Sequence, residues 1–488
     1  MGCSSSKLNE SINILRENEK EKDNPETLEI IEKIKEENIK NENNKINKYD
    51  EQENENKNDD IKVKAKIRIP KATKLKEIEL SSSEKESSKS VANSLPKRTQ
   101  TNLKSFKDLI KSKTEKLNQK LKSYVLFLWI CDNITYDAKS YYSGAKVDCT
   151  PEGVFKTGLS VCSGYAHLYK DIALYLNLEV ECVSCYAKGA SYRLGQNMYK
   201  SNHEYNVIKL DNKWYPMDST WGAGSVDGHK FIKCFKEIYF LPNPELLITS
   251  HFPVWDKWQL TKEKYSLEEF LKWPIIKLQF YEFGFKTLEP KEGVIELKNS
   301  NKQKFIFYGE EVNKKGSSCK INLFYESSII KQNNLCRINF YNDRLEIDCI
   351  FNKKGEYEVE IFGNNDRGKV THYILEYKVI VEKDAKEQLS FPKFYSGKEE
   401  ITIIEPIYDF LKSGEKIKFK IKSDLDEIII IDQIWNYLKK NKEGYFEFET
   451  IIKSSRGQSL KISKKNGTNN SSTLAEYNII WSNIDKYS

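Results

Sequence analysis

The chain has 488 residues and a net charge of +7, which allows two to four domains and excludes the extreme basicity of a dedicated nucleic-acid-binding protein. Its aromatic residues are 8 Trp, 28 Tyr and 23 Phe, yet residues 1–105 contain only one of them, Tyr49. No apolar run approaches the roughly 18 residues that span a bilayer, and the start of the chain has no apolar stretch typical of a secretion signal. The composition therefore predicts a long polar arm followed by about 380 residues able to build packed cores.

The first residues read MGCSSSK and fit a lipid-attachment signal. Gly2 followed by Ser6 matches the pattern for N-myristoylation, and Cys3 beside it is suited to palmitoylation. One myristoyl chain binds membranes only marginally, so two acyl chains are the expected requirement for a stable anchor. We therefore expect a peripheral, lipid-anchored protein on the inner leaflet, at the cytoplasmic face of a membrane. The basic segment Lys62–Lys76 either adds attraction to anionic lipid or is simply a solvated charge run.

Residues 1–105 are rich in Asn, Lys, Glu and Ser, and we predict that they form a disordered arm, because they cannot bury enough apolar surface to offset the entropy of ordering. One short helix is predicted within the arm, from Pro25 to about Asn38. The basic excess of the chain lies in residues 61–122. Aromatic residues are not interleaved with these charges, so nucleic acid is not an expected partner.

A transition to helical apolar spacing begins at Phe106 and continues to about Asn133, which predicts one long helix. A second helix is predicted to begin at Cys162, because apolar residues recur at helical spacing after it. The unpaired N–H groups at a helix start favour a thiolate over a thiol. Cys162 is therefore a candidate nucleophile, whereas a lone buried cysteine would be inert.

Two strands follow after a predicted strand at Val180–Ala187. The first is predicted at His203–Leu210, and the second returns from Trp214 to about Gly222 after a tight turn. Such a hairpin would bring His203 close to Asp218, the geometry that a base and its orienting carboxylate require. In this triad His203 would take the thiol proton of Cys162, and Asp218 would hold the imidazole.

The segments GLSVCSGYA (158–166) and HEYNVIKLDNKWYPMDSTWGAG (203–224) resemble the transglutaminase-like cysteine superfamily. That family places a cysteine in a V-C-x-G-[YF]-A setting before a His-Ala-Trp-Asn strand and a Trp-x-x-x-Asp-x-Thr-Trp strand. The resemblance implies catalytic roles for Cys162, His203 and Asp218. It also implies an α+β, papain-like core, in which the cysteine helix packs on an antiparallel sheet, followed by all-β sandwich modules.

A narrower resemblance, to kyphoscoliosis-peptidase and hillarin-like proteins, rests on Phe240–Pro244, His251–Pro253 and Trp258–Leu260. The chain departs from the superfamily at Glu204 and Tyr205, where Ala and Trp are usual. The departure leaves the triad intact and adds a charge near the base. It implies that the wall of the pocket differs from that of the family.

Other candidate residues have weaker patterns. Trp129 is a possible oxyanion donor, although an aromatic residue on an apolar helix is more often core, and the backbone N–H of Cys162 is the better donor. Cys182 and Cys185 form a CxxC on a predicted strand, where they would face opposite sides, so no metal site is predicted. His167 on the cysteine helix is interpreted as structural, and the remaining candidates, His229 and His251, are placed in loops. The Gly222–Gly224 stretch is interpreted as a turn, no cofactor is predicted, and the ten cysteines are expected to be reduced.

Beyond the core the sequence alternates with the period of strands and is punctuated by Gly, Asn and Asp. The predicted division is an arm at 1–105, a transglutaminase-like domain at 106–274 and β-sandwich modules at 275–385 and 386–488. Two roles remain open for the β-sandwich modules: they bind or position proteins, or they are structural spacers.

Two functions remain open at this stage. The first is a membrane-anchored thiol enzyme that acts on protein amide bonds, by hydrolysis or by acyl transfer to an amine. The second is a catalytically silent adaptor that binds cytoskeletal or membrane-skeleton proteins. The partner is accordingly either a protein substrate or a cytoskeletal protein.

Overall fold

A computed structural model describes residues 67–71, 74–310, 312, 318–331, 334–364, 372–395, 401–466 and 470–480. The chain divides into two units at residue 66, and the description below concerns residues 67–488. The lipidation candidates Gly2 and Cys3 and the helix predicted at Pro25–Asn38 lie outside the described residues. Among the helices of the described part, none is both long enough and apolar enough to cross a membrane.

The helices are concentrated in residues 82–282. They are α1 (Ser82–Ser94), α2 (Leu103–Thr114), α3 (Gln119–Asn133), α4 (Ala138–Ser143), α5 (Pro151–Thr157), α6 (Cys162–Tyr175), α7 (Ser219–Ala223), α8 (Pro244–Leu247), α9 (Leu267–Lys272) and α10 (Leu278–Glu282). Short 3-10 helices lie at Arg98–Gln100, Glu237–Tyr239 and Asp256–Trp258.

The prediction of a disordered arm extending to residue 105 is wrong for its described end. Helix α1 is closed by a capping box between Ser81 and Glu84, and Leu95 is buried in the core. The indole N–H of Trp273 donates to the carbonyl of Arg68 at 2.6 Å. Composition averages over a whole segment. Here a few apolar and hydrogen-bonding groups hold the segment against residues that lie far away in the sequence.

The long helix predicted from Phe106 to Asn133 is two helices, α2 and α3. Asn118 breaks it, because its side-chain oxygen accepts the N–H of Leu121 at 2.9 Å and caps α3. The apolar spacing continues across the break because both helices face the same core.

The strands of the core domain alternate with its helices along the chain. They are β1 (Thr135–Tyr136), β2 (Leu159–Ser160), β3 (Glu179–Ala187), β4 (His203–Leu210), β5 (Lys213–Met217), β6 (Gly224–Asp227), β7 (Lys230–Lys233) and β8 (His251–Pro253). The main sheet has the order β5-β4-β3-β8 and is antiparallel throughout. Helix α6 packs against β3 and β4, which is the predicted arrangement of a helix-start cysteine on an antiparallel sheet.

The hairpin β4–β5 turns at Asp211 and Asn212, both in the left-handed region, with φ of 48° and 63°. Strand β4 has the predicted bounds, but the returning strand ends at Met217 rather than near Gly222. Asp218 ends it, because its carboxylate accepts backbone N–H groups and caps helix α7.

The remainder is β-structure. Its strands are β9 (Ile275–Ile276), β10 (Phe285–Glu289), β11 (Val294–Leu297), β12 (Lys302–Gly309), β13 (Ser318–Tyr325), β14 (Ser328–Ile329), β15 (Cys336–Phe340), β16 (Arg344–Ile350), β17 (Gly355–Asn364), β18 (His372–Val381), β19 (Lys393–Phe394), β20 (Ile401–Glu405), β21 (Leu411–Lys412), β22 (Lys416–Ser423), β23 (Glu427–Asp432), β24 (Ile434–Lys439), β25 (Tyr445–Ile451), β26 (Ser459–Asn466) and β27 (Asn470–Ile480).

These strands form two pairs of sheets. The first pair has the orders β10-β12-β16-β15 and β11-β18-β17-β13-β14, with β9 joined to β18. The second pair has the orders β19-β27-β26-β23-β24 and β20-β22-β25, with β21 parallel to β27. The first pair shares one continuous apolar core with the helical domain, whereas the second has a core of its own.

Candidate active site

Cys162 is the first residue of α6 and is partly exposed. The carbonyl of the preceding residue, Val161, accepts the N–H groups of Gly164 and Tyr165 at 3.1 and 3.3 Å. The N–H groups of the first helical residues have no intrahelical acceptor. The sulfur therefore lies at the positive end of the helix dipole, which favours a negative charge there.

Gly164 permits the tight approach at this helix start. A Cβ at this position would lie 1.9 Å from the Ser160 Oγ and 2.7 Å from a methyl group of Val154. The small residue in the cysteine motif is thus required for packing between α6 and the segment that precedes it.

His203 is the first residue of β4, and its side chain is only 7% exposed. Its Nε2 lies 2.8 Å from Oδ2 of Asp218, a carboxylate that is 1% exposed. Oδ1 of the same carboxylate accepts the N–H groups of Thr220 and Trp221 at 2.8 and 3.0 Å. Since Nε2 is engaged by Asp218, Nδ1 is the ring nitrogen left to serve Cys162.

The charges of the pair are coupled. Burial lowers the pKa of His203, but the Asp218 carboxylate and the Cys162 sulfur, by charge and by hydrogen bonding, raise it above its ordinary value. Burial raises the pKa of Asp218, but the charge of His203 and the hydrogen bonds from both histidines hold it below its usual range. The groups are therefore an imidazolium and a carboxylate at neutral pH.

A second histidine, His251, contacts the same carboxylate. Its Nε2 lies 3.1 Å from Asp218 Oδ2, and its Nδ1 lies 2.8 Å from the hydroxyl of Ser250. Burial, which outweighs the contacts to Asp218, lowers the pKa of His251 to about 4. Its ring is therefore neutral at pH 7, with Nε2–H donating to Asp218 and Nδ1 accepting from Ser250.

The placement of His251 in a loop is wrong, because it begins strand β8, which pairs with β3. The apolar residues that follow His251 could have indicated a strand. The partner of His251, the carboxylate of Asp218, lies 33 residues earlier in the chain. Nothing in the local pattern indicates that contact.

The aromatic side chain of Trp221 packs against both histidines. The ring of Trp221 lies 4.3 Å from that of His251 and 5.7 Å from that of His203, measured between centroids. The ammonium of Lys277 lies 4.7 Å from the Trp221 centroid and donates to the carbonyl of Lys188 at 2.6 Å. These contacts fix the wall of the site away from the thiol.

Trp129 is not available as an oxyanion donor. It is 2% exposed, it stacks on Phe155, and its indole N–H donates to the carbonyl of Pro96 at 3.0 Å. Tyr136 is a candidate that sequence reasoning missed: it pairs with Ser160 in the short parallel bridge β1–β2, two residues before Cys162. Burial first, and then the charge of Cys162, raise the pKa of the Tyr136 phenol, so its O–H remains a donor.

The two residues that depart from the family pattern lie away from the thiol. Tyr205 is buried, with its ring 5.8 Å from that of His251, and so forms part of the interior. Glu204 faces helix α6 instead, where its carboxylate lies 3.5 Å from Nε2 of His167. The charge expected near the base is thus directed at a different histidine.

The remaining candidates are not members of the triad, although Cys185 on β3 pairs directly with His203 on β4. Cys185 is fully buried and Cys182 partly so, and the two alternate along β3 as predicted. His229 is exposed and stacks on Tyr142. Every cysteine that the structure describes is a free thiol.

Comparison with known proteins matches two parts of the chain to families. Residues 107–219, which include Cys162, His203 and Asp218, match the transglutaminase-like superfamily, and residues 267–392 match the KY-like, immunoglobulin-like domain. The chain thus contains a transglutaminase-like domain, as the resemblance of its motifs predicted, and part of the β-structure expected behind it matches an immunoglobulin-like domain.

Three relatives resemble this chain over part of their length. Kyphoscoliosis peptidase of Mus musculus is 33% identical over 177 residues, which cover 36% of this chain and 27% of that protein. Hillarin of Drosophila melanogaster is 23% identical over 213 residues, covering 40% and 26%. The Lim and transglutaminase domain protein ltd-1 of Caenorhabditis elegans is 24% identical over 155 residues, covering 29% and 21%. The chain spans about a quarter of the length of these relatives.

Proposed function

We propose that the protein is a thiol enzyme that cleaves protein amide bonds through Cys162, His203 and Asp218. The name of the mouse relative, a peptidase, supports hydrolysis as the second half of the reaction. Acyl transfer to an amine uses the same first half and is the alternative outcome.

The reaction begins with the sulfur of Cys162 attacking the carbonyl carbon of the amide. The carbon–nitrogen bond breaks as the imidazolium of His203 gives its proton to the leaving amine, and a thioester remains. Water then loses a proton to His203 and attacks the thioester, which releases the acid and restores the thiolate of Cys162 beside the imidazolium of His203. If an amine enters in place of water, a new amide forms.

The observation that carries the proposal is the 2.8 Å contact between His203 Nε2 and a buried, fully hydrogen-bonded Asp218. This contact leaves Nδ1 as the ring nitrogen that can serve Cys162, and it stabilises the imidazolium that the first step needs. A merely structural histidine does not require a carboxylate with four donors.

The test is labelling with a thiol-directed electrophile, followed by incubation with protein substrates and, separately, with a glutamine donor and an amine. We expect Cys162→Ala to lose both labelling at that position and turnover. Cys234→Ala, another partly exposed thiol, is the matched control and keeps both. Equal behaviour of wild type and Cys162→Ala in every assay would refute the enzyme proposal.

The adaptor is the competing function, and it would be favoured if the departing residues Glu204 and Tyr205 filled the cleft. Tyr205 is packed in the interior and Glu204 is turned toward α6, so neither supports a filled cleft. An adaptor would retain partner capture in Cys162→Ala while showing no turnover with any substrate.

We further propose that acylation of Gly2 and Cys3 holds the protein on the inner leaflet of a membrane. The motif MGCSSSK alone supports this. Gly2→Ala should move the expressed full chain from the membrane fraction to the soluble fraction, and Cys3→Ser should give weaker retention. Unchanged fractionation of Gly2→Ala would refute the anchor.

A further inference from the structure

A second cluster of potential ligands lies beside the triad but does not share its residues. Nε2 of His167, Sγ of Cys182 and a carboxylate oxygen of Glu204 all lie within 4.8 Å of one another. They come from α6, β3 and β4, the three elements that meet beneath the cleft. Imidazole, thiol and carboxylate are the three ligand types that zinc takes in proteins.

The spacing fits one tetrahedral ion. Bonds of about 2.0–2.3 Å to nitrogen, oxygen and sulfur put tetrahedral ligand atoms roughly 3.3–3.8 Å apart. The separation between Nε2 of His167 and Oε1 of Glu204 is 3.5 Å. The other two separations are no more than 4.8 Å, so the ligand atoms would have to approach one another by about 1 Å or less to close around a metal.

A separate contact orients His167 for this role. Its Nδ1 lies 3.2 Å from the carbonyl oxygen of Cys149, and only a protonated nitrogen can donate there. The lone pair of a neutral ring is then on Nε2, which faces the cluster. Metal-binding histidines are typically fixed by such a bond from the other ring nitrogen.

The cluster is open to an incoming ion. The side chain of His167 is 43% exposed and that of Glu204 is 20% exposed, and a surface cavity of about 950 Å³ borders His167. The charge of Lys170 acts on Cys182, but its ammonium is paired with Glu181 at 2.7 Å. A water molecule could fill the fourth position.

We propose that His167, Cys182 and Glu204 bind one Zn²⁺ ion. The ion joins the helix that begins at Cys162 to the strand that begins at His203. This assigns a purpose to Glu204, at a position where the superfamily pattern has a small residue, and it sets aside the prediction that the chain has no metal site. The inference does not depend on the proposed enzyme activity.

The test uses the full chain carrying Cys162→Ala, so that the thiol of the triad cannot bind the metal. Co²⁺ replaces Zn²⁺ as the spectroscopic probe. We expect one equivalent of Co²⁺ to give a thiolate-to-metal charge-transfer band that Zn²⁺ displaces. Cys182→Ser should remove the band, and the near-isosteric Glu204→Gln should weaken the affinity at least tenfold. Cys149→Ser, the neighbouring thiol, is the control and should keep the band.

The competing arrangement is a plain ion pair between protonated His167 and Glu204. In that case Co²⁺ gives no charge-transfer band, or the same band persists in Cys182→Ser, and either result overturns the proposal. Circular dichroism of each metal-free variant checks that it is folded. A second readout is hydrogen exchange, in which Zn²⁺ should slow exchange at the start of α6 in the parent but not in Glu204→Gln.

Discussion

Burial of a neutral His251 against Asp218 makes stability fall in weak acid. The pKa of this ring is about 4 in the folded protein against an ordinary value of 6.5. A depressed folded pKa on a base means that the unfolded chain takes up the proton first as the pH drops. The contribution of His251 to stability is therefore lost between pH 6.5 and pH 4, and it is nearly constant above pH 7.

The size of the loss follows from linkage. Between pH 7 and pH 5 the two pKa values give a loss of about 2 kcal/mol in the free energy of unfolding. His251→Gln removes the titrating ring while leaving an amide N–H that can donate to Asp218. We expect the variant to lose about 2 kcal/mol less than wild type over this interval, whatever its stability at pH 7.

The measurement is urea denaturation followed by tryptophan fluorescence, at pH 7 and at pH 5. The control is His229→Gln, which removes an exposed histidine and should follow wild type. All other titrating groups are common to the three proteins. Equal losses in wild type and His251→Gln would contradict the assignment of a neutral, buried ring.

Three further results are expected. Asp218→Asn should slow amide cleavage by a factor on the order of 10²–10⁴, because the base loses its orienting charge, and an unchanged rate would exclude the triad. Gly164→Ala should destabilise the fold by about 1–3 kcal/mol, because the added Cβ would overlap Ser160. The control is Gly189→Ala, where the atom nearest to the added Cβ lies at 3.6 Å and the substitution should be tolerated. Equal thermal midpoints for the two variants would argue against the tight contact at Gly164. A chain that lacks residues 67–105 as well as 1–66 should have a markedly lower thermal midpoint than a chain that lacks only 1–66, because buried side chains of 67–105 belong to the core. The same midpoint for the two truncated chains would support the interpretation of a loose arm up to residue 105.

Local patterns predicted the elements that carry the triad. The helix begins at Cys162 as predicted, and the strand His203–Leu210 has the predicted bounds, because each has a regular apolar period and a clear first residue. The prediction of the returning strand was wrong after Met217. A carboxylate that caps a helix looks the same in sequence as one that continues a strand, because the N–H groups that it accepts are not known.

Contacts between distant parts of the chain could not be predicted. His251 reaches Asp218, and Trp273 reaches Arg68 across about 200 residues, without any sequence period that records either pairing. The strand-like alternation beyond the core includes Lys277–Phe285, but this segment forms helix α10 and the start of β10. Its apolar and aromatic side chains suit either structure, and packing against the core selects the helix.

The contact between Lys277 and Trp221 has a consequence for how the chain can be divided. Lys277 lies within the stretch matched as immunoglobulin-like, yet its ammonium covers the indole that packs on His251. Burial lowers the pKa of this lysine to about 7, and its charge lowers that of His251. A protein engineer who grafted a foreign module at residue 275 would thus also replace a proton-binding group two rings away from the triad. The transglutaminase-like domain and its neighbour should be transplanted, expressed and assayed as one piece.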